Sequence, residues 1–139
     1  MNPTDHPRIT VACALIERDG LVLAAQRSEG MRMPLKWEFP GGKIEAGETA
    51  EACLKRELAE EMGVAVRIIR ALPPHTHRYP AFTVTLYPFV CAVAAGTITL
   101  MEHRQILWLP PAELPGLDWA EADFPIIAAY RASLRRAAE

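Results

Sequence analysis

The sequence predicts a mixed α/β sandwich. Several short apolar runs rich in strand formers are separated by turn residues, and two helical stretches, one central and one terminal, lie among them. The length of 139 residues fits one domain over 1–139 and lets a chain bury a full core without staples.

The elements follow in chain order. Residues 9–16 (ITVACALI) and 21–27 (LVLAAQR) flank Asp19-Gly20, a tight-turn pair, and read as a hairpin. Residues 28–36 form a polar loop with Gly30 and Pro34. The short apolar piece 37–39 stops at Pro40-Gly41-Gly42. Ala50–Met62 is helical, with Thr49 as N-cap and Gly63 as a left-handed C-cap. Residues 64–71 and 82–94 read as strands, and Pro73, Pro74 and Pro80 punctuate the connection between them. Residues 105–109 form a further strand, ended by Pro110-Pro111. From Phe124 the tail is a helix whose apolar stripe holds Ile126, Ile127, Tyr130, Leu134 and Ala137.

Composition excludes several classes. Half the residues are hydrophobic and 23% are charged, the balance of a globular chain. The longest apolar run, residues 89–95, is far short of the ~20 residues of a membrane span. The N-terminus MNPTDHPR has no apolar signal region. A net charge of −2 speaks against a groove for polymeric nucleic acid. Cys13, Cys53 and Cys91 are odd in number and have no CxxC spacing, which fits a reduced, cytoplasmic chain.

The central helix carries the chemistry. At about 100° per residue, a helix packed through Leu54 and Leu58 places Glu61 within about 20° of Leu54 and Glu57 within about 60°. Glu60 flanks them, so three carboxylates at i, i+3 and i+4 are neighbours that repel unless a positive group sits among them. A divalent cation with hard oxygen ligands is one such group. A solvated Glu/Arg/Lys surface helix is the other reading of the same residues.

The wider run GKIEAGETAEACLKRELAEEMGV, from Gly42 to Val64, resembles the Nudix box in full. The resemblance implies a Nudix α/β/α sandwich with a mixed β-sheet and a loop-helix catalytic motif. It also implies Mg²⁺-dependent hydrolysis of nucleoside diphosphates linked to another group, with Mn²⁺ as a substitute. By that resemblance Glu57 and Glu61 are metal ligands, Glu60 is a ligand or water-orienting base, and a carbonyl of Gly41-Gly42 joins the metal shell. Gly42, Glu48, Arg56 and Gly63 are structural members of the motif, with Glu48 and Arg56 bracing the loop on the helix.

The run Trp37-Glu38-Phe39-Pro40-Gly41-Gly42 before the box is similar to the MutT branch, which hydrolyses a (d)NTP to (d)NMP and pyrophosphate. That branch includes 8-oxo-dGTP diphosphatases and CTP pyrophosphohydrolases, and nucleotide-pool sanitation is the implied task. Arg27 stands where the branch carries a substrate-contacting arginine, with a solvent-facing strand end as the plain alternative. Glu102, before Trp108, matches a metal-linked or general-base glutamate, against an ordinary loop carboxylate; His103 reads as a bystander. Asp123 matches the base-reading position and also suits an N-cap of the last helix. Around Phe82 the chain lacks the arginine of the 8-oxo-dGTP type. Trp37, Glu38, Phe39 and Phe82 are further candidates for substrate contact, with core packing as the alternative for the aromatic ones. The expected partner is a small-molecule nucleotide, with no nucleic-acid polymer and no membrane, in a monomer or homodimer. Hydrolysis of ADP-ribose or a dinucleoside polyphosphate, and a non-catalytic nucleotide-binding module, are the rival readings.

Overall fold

Alternation along one central strand builds the layers of this molecule. The computed structural model describes residues 6–138. Strand β1 (Arg8–Arg18) sends Ala12, Ala14 and Ile16 to one face and Cys13 and Leu15 to the other, as the period of two demands. Both sets are buried because a helix covers each face. Helix α1 (Ala50–Met62) packs Cys53, Leu54, Leu58 and Met62 on the first face. Helix α2 (Phe124–Ala138) packs Ile126, Ile127 and Tyr130 on the second. The expected sandwich is therefore present. The side chain of Ala137, placed on the α2 stripe by the sequence, lies outside the described residues.

Strand β1 turns into β2 (Leu21–Gln26) through Asp19 and Gly20, both at positive φ, so the expected hairpin forms. β2 also pairs with β3 (Trp37–Glu38) on one edge and β8 (Gln105–Leu109) on the other. β1 runs parallel to β7 (Thr83–Ala95) and antiparallel to β4 (Gly41–Lys43), which makes the sheet mixed. β7 pairs antiparallel with β5 (Ala65–Ala71) and then with β6 (His75–Arg78).

Three elements differ from the sequence reading. The Pro-punctuated connection contains β6, because its prolines fall outside the residues that pair with β7. The Gly41-Gly42 stop is itself a strand, since Gly41 sits against the Ala12 carbonyl where no side chain fits. Two 3₁₀ turns, Pro111–Gly116 and Glu121–Asp123, lead into α2. Among the described residues no helix is long and apolar enough to cross a membrane.

Candidate active site

Helix α1 presents its acids by ordinary packing. Thr49 Oγ1 accepts from the Ala52 amide at 3.1 Å, and Gly63 closes the helix at φ 68°, its amide donating to the Ala59 carbonyl. With Leu54 and Leu58 pressed on the sheet, Glu57 and Glu61 turn toward β4 and become partly buried, while Glu60 stays exposed. The Glu57 carboxylate lies over Gly42, in the space that any Cβ there would occupy.

Arg56 organises the motif. Its Nε donates to Glu48 Oε2 at 2.7 Å and its Nη2 to Glu48 Oε1 at 3.0 Å, a two-pronged pair that holds the Glu48 carboxyl at a pKa of about 2. Nη1 reaches Glu57 at 3.0 Å and Glu60 at 3.3 Å. Glu48 also accepts from the Glu45 amide, so the loop before the helix is tied down at both ends.

Glu61 carries the electrostatic tension. Its Oε2 is buried and has no hydrogen-bond partner among the described residues. Burial, then the negative charges of Glu57, Glu102 and Glu38, raises its carboxyl to about 8. The loop that bears Glu102 is stitched over the end of α1, since the Thr99 amide donates to the Met62 carbonyl and the Met101 amide to the Glu61 carbonyl. An orphaned buried carboxylate oxygen amid like charge is an environment that a divalent cation satisfies, and oxygen donors are the set that hard cations take. Among the described residues no three acidic, His or Cys side chains form a closed metal cage. Arg56 engages Glu57 and Glu60, and Glu102 is exposed.

A cleft of about 380 Å³ opens beside these acids. Its lining includes Glu61, Gly41 and Gly42 together with Arg27, Glu38, Phe39, Phe82 and Asp123. Its size falls in the range of small-ligand sites. Arg27 Nη1 donates to Glu38 Oε1 at 2.6 Å, so Arg27 is no free strand end.

Three residues stand differently from their sequence reading, and a fourth had none. Trp37 lies in the core on the α2 side and is not on the cleft wall, because its backbone pairs with Asp118 and Ala120 and pulls the ring inward. Asp123 is the last residue of a 3₁₀ turn, and its Oδ1 accepts from the Phe39 amide at 3.4 Å. Among the described residues it makes no capping bond to α2, since the turn continues directly into the helix. Burial and the nearby Glu38 charge push its carboxyl well up. His103, read as a bystander, is buried with its Nε2 on Glu38 Oε2 at 2.7 Å. Tyr79 was not singled out at all, yet it lines the cleft, stacks 5.0 Å from Phe82 and accepts the Ala122 amide. A lone tyrosine between prolines carried no signal that could have found it.

Residues 6–130 match the NUDIX domain. The chain is 34% identical over 124 residues to a CTP pyrophosphohydrolase of Escherichia coli K12, covering 89% of this chain and 92% of that protein. It is 30% identical over 124 residues to an 8-oxo-dGTP diphosphatase of Haemophilus influenzae, covering 88% and 91%. The fold matches a MutT protein from Methanosarcina mazei Go1 with a TM-score of 0.83 at 24% identity, over 93% of this chain and 96% of that one. Nudix hydrolases generally use a divalent metal ion. The family match over residues 6–130, together with relatives aligned over nearly the whole length, shows that the chain belongs to the NUDIX domain family and is a MutT-type hydrolase of phosphoric anhydride bonds.

Proposed function

We propose that the chain, as one domain, is a Mg²⁺-dependent pyrophosphohydrolase that converts a cytidine or 8-oxoguanine nucleoside triphosphate to its monophosphate and pyrophosphate. One observation carries the reading: Glu61 and the buried Asp123 line the same cleft, with Arg27 on its wall. A nucleotide needs a polyphosphate end and a base end, and the cleft offers both.

In this reading Asp123 contacts the base. Its carboxylate accepts hydrogen bonds, and burial pushes it toward the form that can also donate. The Watson–Crick edge of cytosine offers an amine donor beside a ring-nitrogen acceptor, and that of 8-oxoguanine offers a carbonyl acceptor beside N–H donors. Phe39 and Phe82 bound the base laterally, while Arg27 and Glu38 orient the nucleotide. Glu57, Glu60, Glu61, Glu102 and the Gly41 carbonyl are the groups that would hold Mg²⁺. When bound, Mg²⁺ offsets the phosphate charge in the transition state. Glu102 takes the proton from the attacking water, since Glu60 is ion-paired to Arg56 while Glu102 has no such pair among the described residues. The water oxygen bonds to the β-phosphorus, and the bond from that phosphorus to the α–β bridging oxygen breaks.

The test is Mg²⁺-dependent pyrophosphate release from dCTP, CTP, 5-methyl-dCTP, 8-oxo-dGTP, 2-hydroxy-dATP and the common triphosphates, for wild type and Asp123→Asn. Wild type should favour cytidine or 8-oxoguanine nucleotides. In Asp123→Asn the ratio of kcat/KM for dCTP and 8-oxo-dGTP should move by about 1–3 kcal/mol, roughly 5- to 150-fold, toward 8-oxo-dGTP. Melting should stay level or rise, because no cap is lost. No release from any nucleotide in the panel would end this reading.

A further inference from the structure

We propose that His103 is a positioning residue that ties the nucleotide cleft to the loop carrying Glu102, an inference that rests on the function proposed above. The side chain of His103 is only 2% exposed and its Nε2 lies 2.7 Å from Glu38 Oε2. A carboxylate only accepts, so Nε2 donates. The other oxygen of Glu38 receives Arg27 Nη1 at 2.6 Å. Glu38 is thus clamped between two donors that come from distant parts of the chain.

The clamp has a reason. Glu38 lines the same cleft as Glu61 and Asp123, and two donors fix the direction of its carboxylate there. Without His103 one of its oxygens loses its donor, and the carboxylate is free to turn from Arg27. The same bond serves the loop. On one side of the Glu102-His103 pair the Met101 amide is fixed to Glu61, and on the other the Arg104 amide is fixed to the Gln26 carbonyl. Between those two backbone ties, the imidazole of His103 is the side chain that anchors the loop to the cleft wall. Its loss therefore lets Glu102 drift from the acids on α1 and Arg27 drift from the nucleotide. Displacement of about 1 Å at a reacting group can cost about 10²-fold in rate.

The experiment compares His103→Leu, which removes the donor, with His103→Gln, whose amide nitrogen can reach Glu38 as Nε2 does. His103→Asn, whose amide falls short, takes the place of the Leu variant if that one does not fold. Each folded variant is measured for kcat and KM of pyrophosphate release from dCTP and 8-oxo-dGTP, for affinity toward α,β-methylene-dCTP, and for melting. The donor-less variant should lose at least about tenfold in kcat, raise KM and weaken analogue binding, and Gln should restore most of each. A purely packing role would lower melting in both variants and leave kcat of the folded protein alone. The proposal is overturned if the donor-less variant stays within twofold of wild type, or if Gln is as impaired as Leu. If wild type cleaves no nucleotide, the functional reading fails, and analogue binding then judges His103 separately: a fall in the donor-less variant that Gln reverses upholds the clamp, and unchanged or absent binding overturns it.

Discussion

Glu61 shows what a single residue costs and supplies. In the folded protein its carboxyl keeps a proton up to about pH 8, whereas the unfolded chain releases it near the ordinary glutamate value of 4.5. The folded state therefore binds the extra proton between those values. Stability of the metal-free protein must fall as pH climbs through that window. Thermal melts in EDTA from pH 5 to 8.5 should show this fall in wild type and a flatter profile in Glu61→Gln. The gap between the two should widen with pH, and Mg²⁺ should close it in wild type. A gap independent of pH would contradict the assignment. Glu61→Gln should also lose turnover strongly, because the orphaned Oε2 is the atom best placed to gain from a cation.

At the scale of elements, β4 meets α1 through glycines, so that side chains of the helix, Glu57 and Cys53, lie directly on the strand. A Cβ at Gly42 would strike the Glu57 carboxylate, the end of a flexible side chain. A Cβ at Gly41 would strike the Ala12 carbonyl, which belongs to the central strand. The two glycines should therefore fail differently. Gly42→Ala should fold and melt near wild type but lose most activity, since Glu57 must leave its place. Gly41→Ala should unfold more easily by about 1–3 kcal/mol, because strand β1 or β4 must shift. Urea unfolding and initial rates on both variants check the contrast, and equal behaviour would remove it.

The whole molecule divides its work between two layers. Leu58 on α1 and Ile126 on α2 are both fully buried, on opposite faces of the sheet. Replacing either by Ala should cost about 2–5 kcal/mol. Leu58 lies on the helix that carries Glu57 and Glu61, so Leu58→Ala should also weaken Mg²⁺ binding. Ile126 lies just beyond Asp123, so Ile126→Ala should instead disturb base preference. Urea curves paired with Mg²⁺ titration and with the dCTP to 8-oxo-dGTP ratio separate the two layers. Identical effects on metal and base would show that the layers are not independent.

The sequence by itself determined what short-range order can express. The inward turn of Glu57 and Glu61 followed from helical period and two leucines, and the helix ends followed from Thr49 and Gly63. The hairpin followed from Asp19-Gly20, because a two-residue turn needs only its own dihedral angles. The tertiary structure alone decided which distant side chains meet. Glu38 and His103 are 65 positions apart, and Asp123 finds the Phe39 amide across 84. Neither contact leaves a local period or cap for a sequence to display. Burial was decided in the same way, since the rise of the Glu61 and Asp123 carboxyls depends on a loop and a turn folding over them from elsewhere in the chain. A charged side chain reads as polar wherever it stands, and only the completed fold sets how much water it loses.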